Sequence, residues 1–314
     1  MLNMSDIAVL VVDVNEGFGK EEKELLKKVK EKEIPYIIAF NKCDEKSPVF
    51  PSGEEDNCIS VSAKDKTNIY ELKEKIAEKA AIKKKEIPIV SDLVERGDVA
   101  VLVVPIDKAA PKGRLILPQQ QTIRELLDCG ATAFVTRDSE LKETLERLNC
   151  KPKIVITDSQ VFEKVAKIVP DDVLLTSFSI LFARHKGNLS ELLKGAAAIK
   201  ELRDGDKVLI SEGCTHHRQC NDIGTVKLPG WIKQFTGKDI AFEFSSGTEF
   251  PADLNRFKAV IHCGGCMLSE REMKYRISCA ADRNVPITNY GMAIALMNGI
   301  LERSLEPLRE SLDL

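Results

Sequence analysis

Short runs of β-branched and aliphatic residues at 7–13, 36–40, 99–106, 133–137, 153–157, 173–176, 207–211, 239–244, 258–263 and 285–288 alternate with amphipathic helical stretches along the whole chain. Runs this apolar must be buried on both faces, and parallel neighbours need a crossover about as long as a helix. The alternation therefore predicts an α/β fold with mainly parallel sheets covered by helices. A chain of 314 residues is long for one core. A Lys-rich stretch at 82–86 before Pro88 reads as one boundary, and Pro170-Asp171-Asp172 or the segment near Asn188 as another. Three domains are expected, at 1–84, 85–175 and 176–314.

Charge and hydropathy narrow the partners. A net charge of -3 offers no electrostatic reason to expect nucleic acid. No apolar run approaches the roughly 18 residues that a membrane helix needs, so no membrane partner is expected. The N-terminus lacks a basic region and a small-residue cleavage site, which predicts a cytoplasmic protein without a signal peptide. Nine cysteines are an odd set in a chain too large to need disulfide staples. Metal ligation or burial accounts for them better.

Asn41-Lys42-Cys43-Asp44 directly follows an apolar strand, the context that an N-K-x-D guanine-reading loop requires. The Asp44 carboxylate can accept from guanine N1 and N2, Asn41 can reach the far edge of the base, and the Lys42 stem can cover it. Downstream, Ser62-Ala63-Lys64 reads as an S-A-K loop whose backbone N–H groups can bond guanine O6. The bland alternative is a polar turn. No G-x-x-x-x-G-K followed by Ser or Thr occurs, and Gly17-Phe18-Gly19-Lys20 does not replace it. The segment therefore reads as a partial P-loop GTPase-like (Rossmann-like) domain without competent GTP hydrolysis. The strand at 7–13 is apolar enough to be central yet has no upstream partner, so an N-terminally truncated chain is expected.

The middle stretch carries no catalytic pair. Lys112 and Arg114 can bind an anion but read more simply as a solvated loop. Leu115-Ile116-Leu117 before Pro118 suits either a dimer surface or the domain's own core.

Cys214-Thr215-His216-His217 follows the strand at 207–211, and His262-Cys263-Gly264-Gly265-Cys266 ends the strand at 258–263. In a parallel sheet the carboxyl ends share one rim, so two loops distant in sequence can bring three thiolates and up to three imidazoles together. The C-G-G-C spacing lets two thiolates chelate one centre, and its glycines allow the backbone to wrap closely and donate N–H groups to sulfur. An iron–sulfur cluster on Cys214, Cys263 and Cys266 fits. A Cys3His zinc site and a redox dithiol remain open on spacing alone. His217 and Cys220 read as loop residues, Cys279 as a small core residue, and Asp222 as a cap or an exchangeable oxygen ligand.

C-T-H at 214–216, followed 45 residues on by H-C-G-G-C at 262–266, resembles the C-x-H…H-C-x-x-C signature of the HydF family of [FeFe]-hydrogenase maturation GTPases. The stretches 97–131 and 285–295 are also similar to that family. The resemblance implies a GTPase domain, a dimerisation domain and a [4Fe-4S]-binding domain in a scaffold or carrier. It implies that Cys214, Cys263 and Cys266 hold the cluster, with His216 and His262 near a fourth, exchangeable position. The implied cargo is the diiron subcluster precursor, delivered to apo-[FeFe]-hydrogenase. Radical SAM maturases of the same pathway are implied partners, and a homodimer or higher homo-oligomer is the implied assembly. GTP is the family's nucleotide, held here by Asn41, Lys42, Asp44, Ser62, Ala63 and Lys64. A GTP-binding regulator with a structural zinc site is the alternative.

Overall fold

The computed structural model describes residues 5–32, 34–80, 87–106, 115–213, 222–247, 249–251 and 253–311. The chain divides into two units, 1–86 and 87–314.

In the first unit, β1 (Ala8–Asp13), α1 (Lys20–Glu31), β2 (Tyr36–Asn41), β3 (Cys58–Ser60) and α2 (Ile69–Ala80) build a parallel sheet of order β1-β2-β3. Strand β2 is apolar along its length because it is central, with Ile37 to Phe40 buried. Strand β1 pairs only with β2 among the described residues, and Val9 and Val11 are exposed. Three-residue β3 was not expected, being too short to show a period.

The second unit holds two four-stranded parallel sheets. The first comprises β4 (Val99–Val103), α3 (Leu117–Asp128), β5 (Thr132–Thr136), α4 (Leu141–Arg147), β6 (Ile154–Thr157), α5 (Phe162–Ala166) and β7 (Leu174–Ser177), in strand order β5-β4-β6-β7. Strand β4 stops at Val103, short of the expected 106, because Pro105 has no N–H to extend the ladder. The apolar stretch before Pro118 leads into α3, where Pro118 is buried and Leu117 is exposed. Lys112 and Arg114 lie outside the described residues.

Next come α6 (Phe178–Lys186), α7 (Leu189–Ala197), β8 (Lys207–Glu212), α8 (Leu228–Thr236), β9 (Ala241–Ser246), β10 (Ala259–His262), α9 (Glu270–Ala281), β11 (Ile287–Asn289), α10 (Tyr290–Met297) and α11 (Leu301–Leu305). Their sheet has the order β11-β10-β8-β9. The boundary read at 175/176 falls inside β7, whose ladder with β6 runs from Leu174 to Ser177, so a division there would break the ladder. One hydrophobic core runs from Ile89 through both sheets to Leu308. Helix α7 lies so close on β11 that a Cβ at Gly195 would sit 1.9 Å from the Ile287 carbonyl oxygen.

Two polar devices pin the start of this unit. The Glu125 carboxylate accepts from the backbone N–H groups of Ile89, Val90 and Ser91 at 2.9–3.1 Å. Arg184, 3% exposed, donates to both Asp92 carboxylate oxygens at 2.7 and 2.8 Å and to the Pro88 and Ile89 carbonyls.

Candidate functional site

Strands β8 and β10 are adjacent and parallel, with Ile261 opposite Ile210 and His262 opposite Ser211. One residue further, Cys263 N–H donates to the Ser211 carbonyl at 2.9 Å. The carboxyl end of β8 thus lies against the start of the C-G-G-C loop. Gly213 N–H donates to the Cys263 sulfur at 3.1 Å, and Gly265 N–H donates to the same sulfur at 3.4 Å. Both donors suit a thiolate, whose charge they stabilise.

The two donor glycines are needed where they stand. A Cβ at Gly213 would lie 2.6 Å from the Leu268 side chain. Gly265 has φ +64°, and a Cβ there would lie 2.5 Å from the Met273 sulfur. Gly264 has no such crowding, its nearest neighbour being Ser179 Oγ at 4.0 Å. Lys186, at the end of α6, holds the loop from outside by donating to the Cys266 and Leu268 carbonyls at 3.4 and 3.3 Å.

Burial pushes both the Cys263 and Cys266 thiols up, and for Cys266 the neighbouring Cys263 adds to the effect. Two soft, partly shielded sulfurs on one loop, one already receiving two N–H groups, are a donor set that fits a thiophilic metal centre. Cys214 and His216 lie outside the described residues, as do His217 and Cys220. Among the described residues no group of three or more His, Cys, Asp or Glu side chains stands close enough to hold a metal ion. Cys214 follows Gly213 directly in the chain. Asp222 is engaged as a cap, accepting from Thr225 N–H at 2.9 Å and from its hydroxyl at 3.0 Å.

His262 is fully buried at the end of β10. Its Nε2 lies 3.0 Å from a guanidinium nitrogen of Arg276, and its Nδ1 lies 2.7 Å from the Cys263 carbonyl oxygen. Both ring nitrogens are therefore occupied by protein, which leaves neither free for the ligand position near which the resemblance set this residue. Burial and then the Arg276 charge hold its pKa down to about 4, against the Cys263 carbonyl contact that favours the charged form. Arg276, also fully buried, further donates to Glu272 at 2.8 Å and to the Gly247 carbonyl at 2.7 Å. Sequence reasoning passed over Arg276. The available signal was a cation in step with Met273, Ile277 and Ala280 on the buried face of α9.

In the first unit, the N-K-x-D and S-A-K residues come to one rim. Asn41 ends β2, and its side-chain oxygen accepts from Ala63 N–H at 3.0 Å. Cys43 N–H donates to the Val61 carbonyl at 3.1 Å, tying the loops together a second time. Buried Ser62 holds the Asp44 carboxyl below the ordinary carboxylate range, and Lys64 stands 3.8 Å from it. Lys42, at φ +68°, pairs with Asp13 at 2.5 Å. That partner was missed, although Asp13 closes the strand whose register sets it opposite Asn41.

Three family models match the chain: the hydrogen maturase F tetramerization domain over 190–307, the hydrogen maturase F dimerization domain over 89–187, and the elongation factor Tu GTP binding domain over 1–133. Among curated relatives, a probable translation initiation factor IF-2 of Metallosphaera sedula is 45% identical over 42 residues, 13% of this chain and 7% of that protein. That of Thermococcus kodakarensis is 33% identical over 76 residues, 24% of this chain and 7% of its own length. That of Methanocella arvoryzae is 49% identical over 41 residues, 13% of this chain and 7% of its own length. The chain thus spans only a small fraction of the relatives it matches.

Proposed function

Because this chain belongs to the HydF family of hydrogen maturases, we propose that it is a scaffold of [FeFe]-hydrogenase maturation, binding a [4Fe-4S] cluster through Cys214, Cys263 and Cys266. Its cargo is the diiron subcluster precursor, received in the pathway of the radical SAM maturases and handed to apo-[FeFe]-hydrogenase. The observation that carries this reading is the Gly213 N–H to Cys263 sulfur bond, since the residue next to Gly213 is Cys214. The end of β8 and the C-G-G-C loop lie at one rim, while Lys186 and the positive-φ Gly265 keep that loop folded around the Cys263 sulfur. When bound, the cluster supplies an iron with a replaceable ligand, the kind of position through which cargo is attached and released. The part around 85–175, extended through β7, serves a homodimer, and the last part serves cluster binding and higher assembly.

In the first unit, Asn41, Lys42, Asp44, Ser62, Ala63 and Lys64 read the guanine of GTP. A GTP-binding regulator with a structural zinc site is the second reading, and the Asn41–Ala63 contact favours its nucleotide half.

The test is anaerobic iron and sulfide reconstitution followed by EPR of the dithionite-reduced protein, wild type against Cys263→Ala. About four irons per chain and a cluster signal lost in the variant are expected. Tightly bound stoichiometric zinc with no cluster would sink the scaffold reading in favour of the second.

A further inference from the structure

A guanidinium has five donors and no acceptor, so the 3.0 Å contact between Arg276 and His262 Nε2 requires that nitrogen to be unprotonated. The proton of the neutral ring then sits on Nδ1 and donates to the Cys263 carbonyl at 2.7 Å, an oxygen that only accepts. We infer that Arg276 is a positioning residue: by holding His262 in the Nδ1–H tautomer it orients the peptide of Cys263, and with it the sulfur that faces Gly213. This inference rests on the cluster reading for its purpose, but not for its geometry.

The rest of the arrangement supports it. Arg276 does not move freely, because it also engages Glu272 at 2.8 Å and the Gly247 carbonyl at 2.7 Å, and it stacks 5.2 Å from the Phe250 ring centroid. Glu272 balances its charge one helical turn away on α9, and both side chains are buried. A planar fork fixed on three sides delivers its remaining N–H groups in one direction, toward β8 and β10, where Ser211 Oγ lies 3.5 Å away. The chain from α9 to the metal loop therefore runs Glu272, Arg276, His262, Cys263 carbonyl. An ammonium in place of the guanidinium has the charge but not the fork.

Nitrogen NMR of the imidazole rings in the metal-free full chain, with His262 assigned by its disappearance in His262→Asn, reads the tautomer directly. The expected result is Nδ1–H in the wild type and a mixture of tautomers in Arg276→Met/Glu272→Met, which removes the donor and its buried counter-charge together. On the reconstituted protein, pulsed EPR is expected to show no directly bonded nitrogen from His262. Arg276→Lys is expected to shift the g-values at unchanged iron content. His262→Asn, which keeps a donor at the Nδ1 position, is expected to retain the signal better than His262→Gln. An Nε2–H tautomer in the wild type, an unchanged tautomer in Arg276→Met/Glu272→Met, or a strong nitrogen coupling lost in His262→Asn would each overturn the inference. A wild-type chain that takes up no cluster yet shows Nδ1–H would remove the cluster reading and leave Arg276 as the residue that orients His262.

Discussion

The backbone N–H of Gly213 donates to the sulfur of Cys263 at 3.1 Å, across two neighbouring strand ends separated by 50 residues of sequence. This single bond joins the end of β8 to the C-G-G-C loop. It depends on a residue without a side chain, because Leu268 fills the space a Cβ would take.

Gly213→Ala is accordingly expected to push the end of β8 away from the C-G-G-C loop. The misfit with Leu268 should cost about 1–3 kcal/mol, visible as a lower denaturant midpoint, and iron uptake on reconstitution should drop with it. Full iron uptake at unchanged stability would contradict the role given to this contact.

Glu125 offers a test remote from the proposed metal site. Burial works against its charged form, but the N–H groups of Val90, Ser91 and Ile89 outweigh it and hold the carboxyl below its ordinary value. A folded-state pKa below the unfolded one means stability that is present above about pH 4.3 and is lost as pH falls through the folded value. Glu125→Gln should destabilise the chain by roughly 1–3 kcal/mol at neutral pH, and its loss should shrink on acidification below pH 4. Chemical denaturation of both proteins across pH 3–7 measures this; equal stability of the two at pH 7 would refute it.

Asp44→Asn tests the proposed guanine-reading loops. An amide cannot accept from both N1 and N2 of guanine as a carboxylate does, so affinity for labelled GTP or GDP should fall roughly tenfold to a hundredfold. Xanthine nucleotides, which offer an acceptor where guanine carries its amino group, should lose far less. Equal losses for both bases would argue that Asp44 does not face the base edge.

Gly195→Ala probes the packing of α7 on β11. With a Cβ 1.9 Å from the Ile287 carbonyl oxygen, the helix must move off the sheet, and a loss at or beyond the upper end of the roughly 1–3 kcal/mol seen for overpacked cores is expected. Thermal unfolding with a midpoint close to wild type would show that α7 can shift without cost.

The sequence alone determined the α/β class, the placement of most strands, and the position of the N-K-x-D and C-G-G-C segments at strand carboxyl ends. These follow from local periodicity and from apolar runs that must be buried on both faces, such as Ile37 to Phe40. Tertiary structure decided what local pattern does not encode. Strand β3 is only three residues long and exists as a strand through its pairing with β2. The division near 175 moves because β7 completes a ladder begun at β6. His262 and Arg276 are 14 residues apart, and which imidazole nitrogen carries the proton depends on where α9 packs against β10. Periodicity reports which face of an element is buried. Only the register and packing of elements far apart in the chain determine which buried polar groups meet, and those meetings set the chemistry of the site.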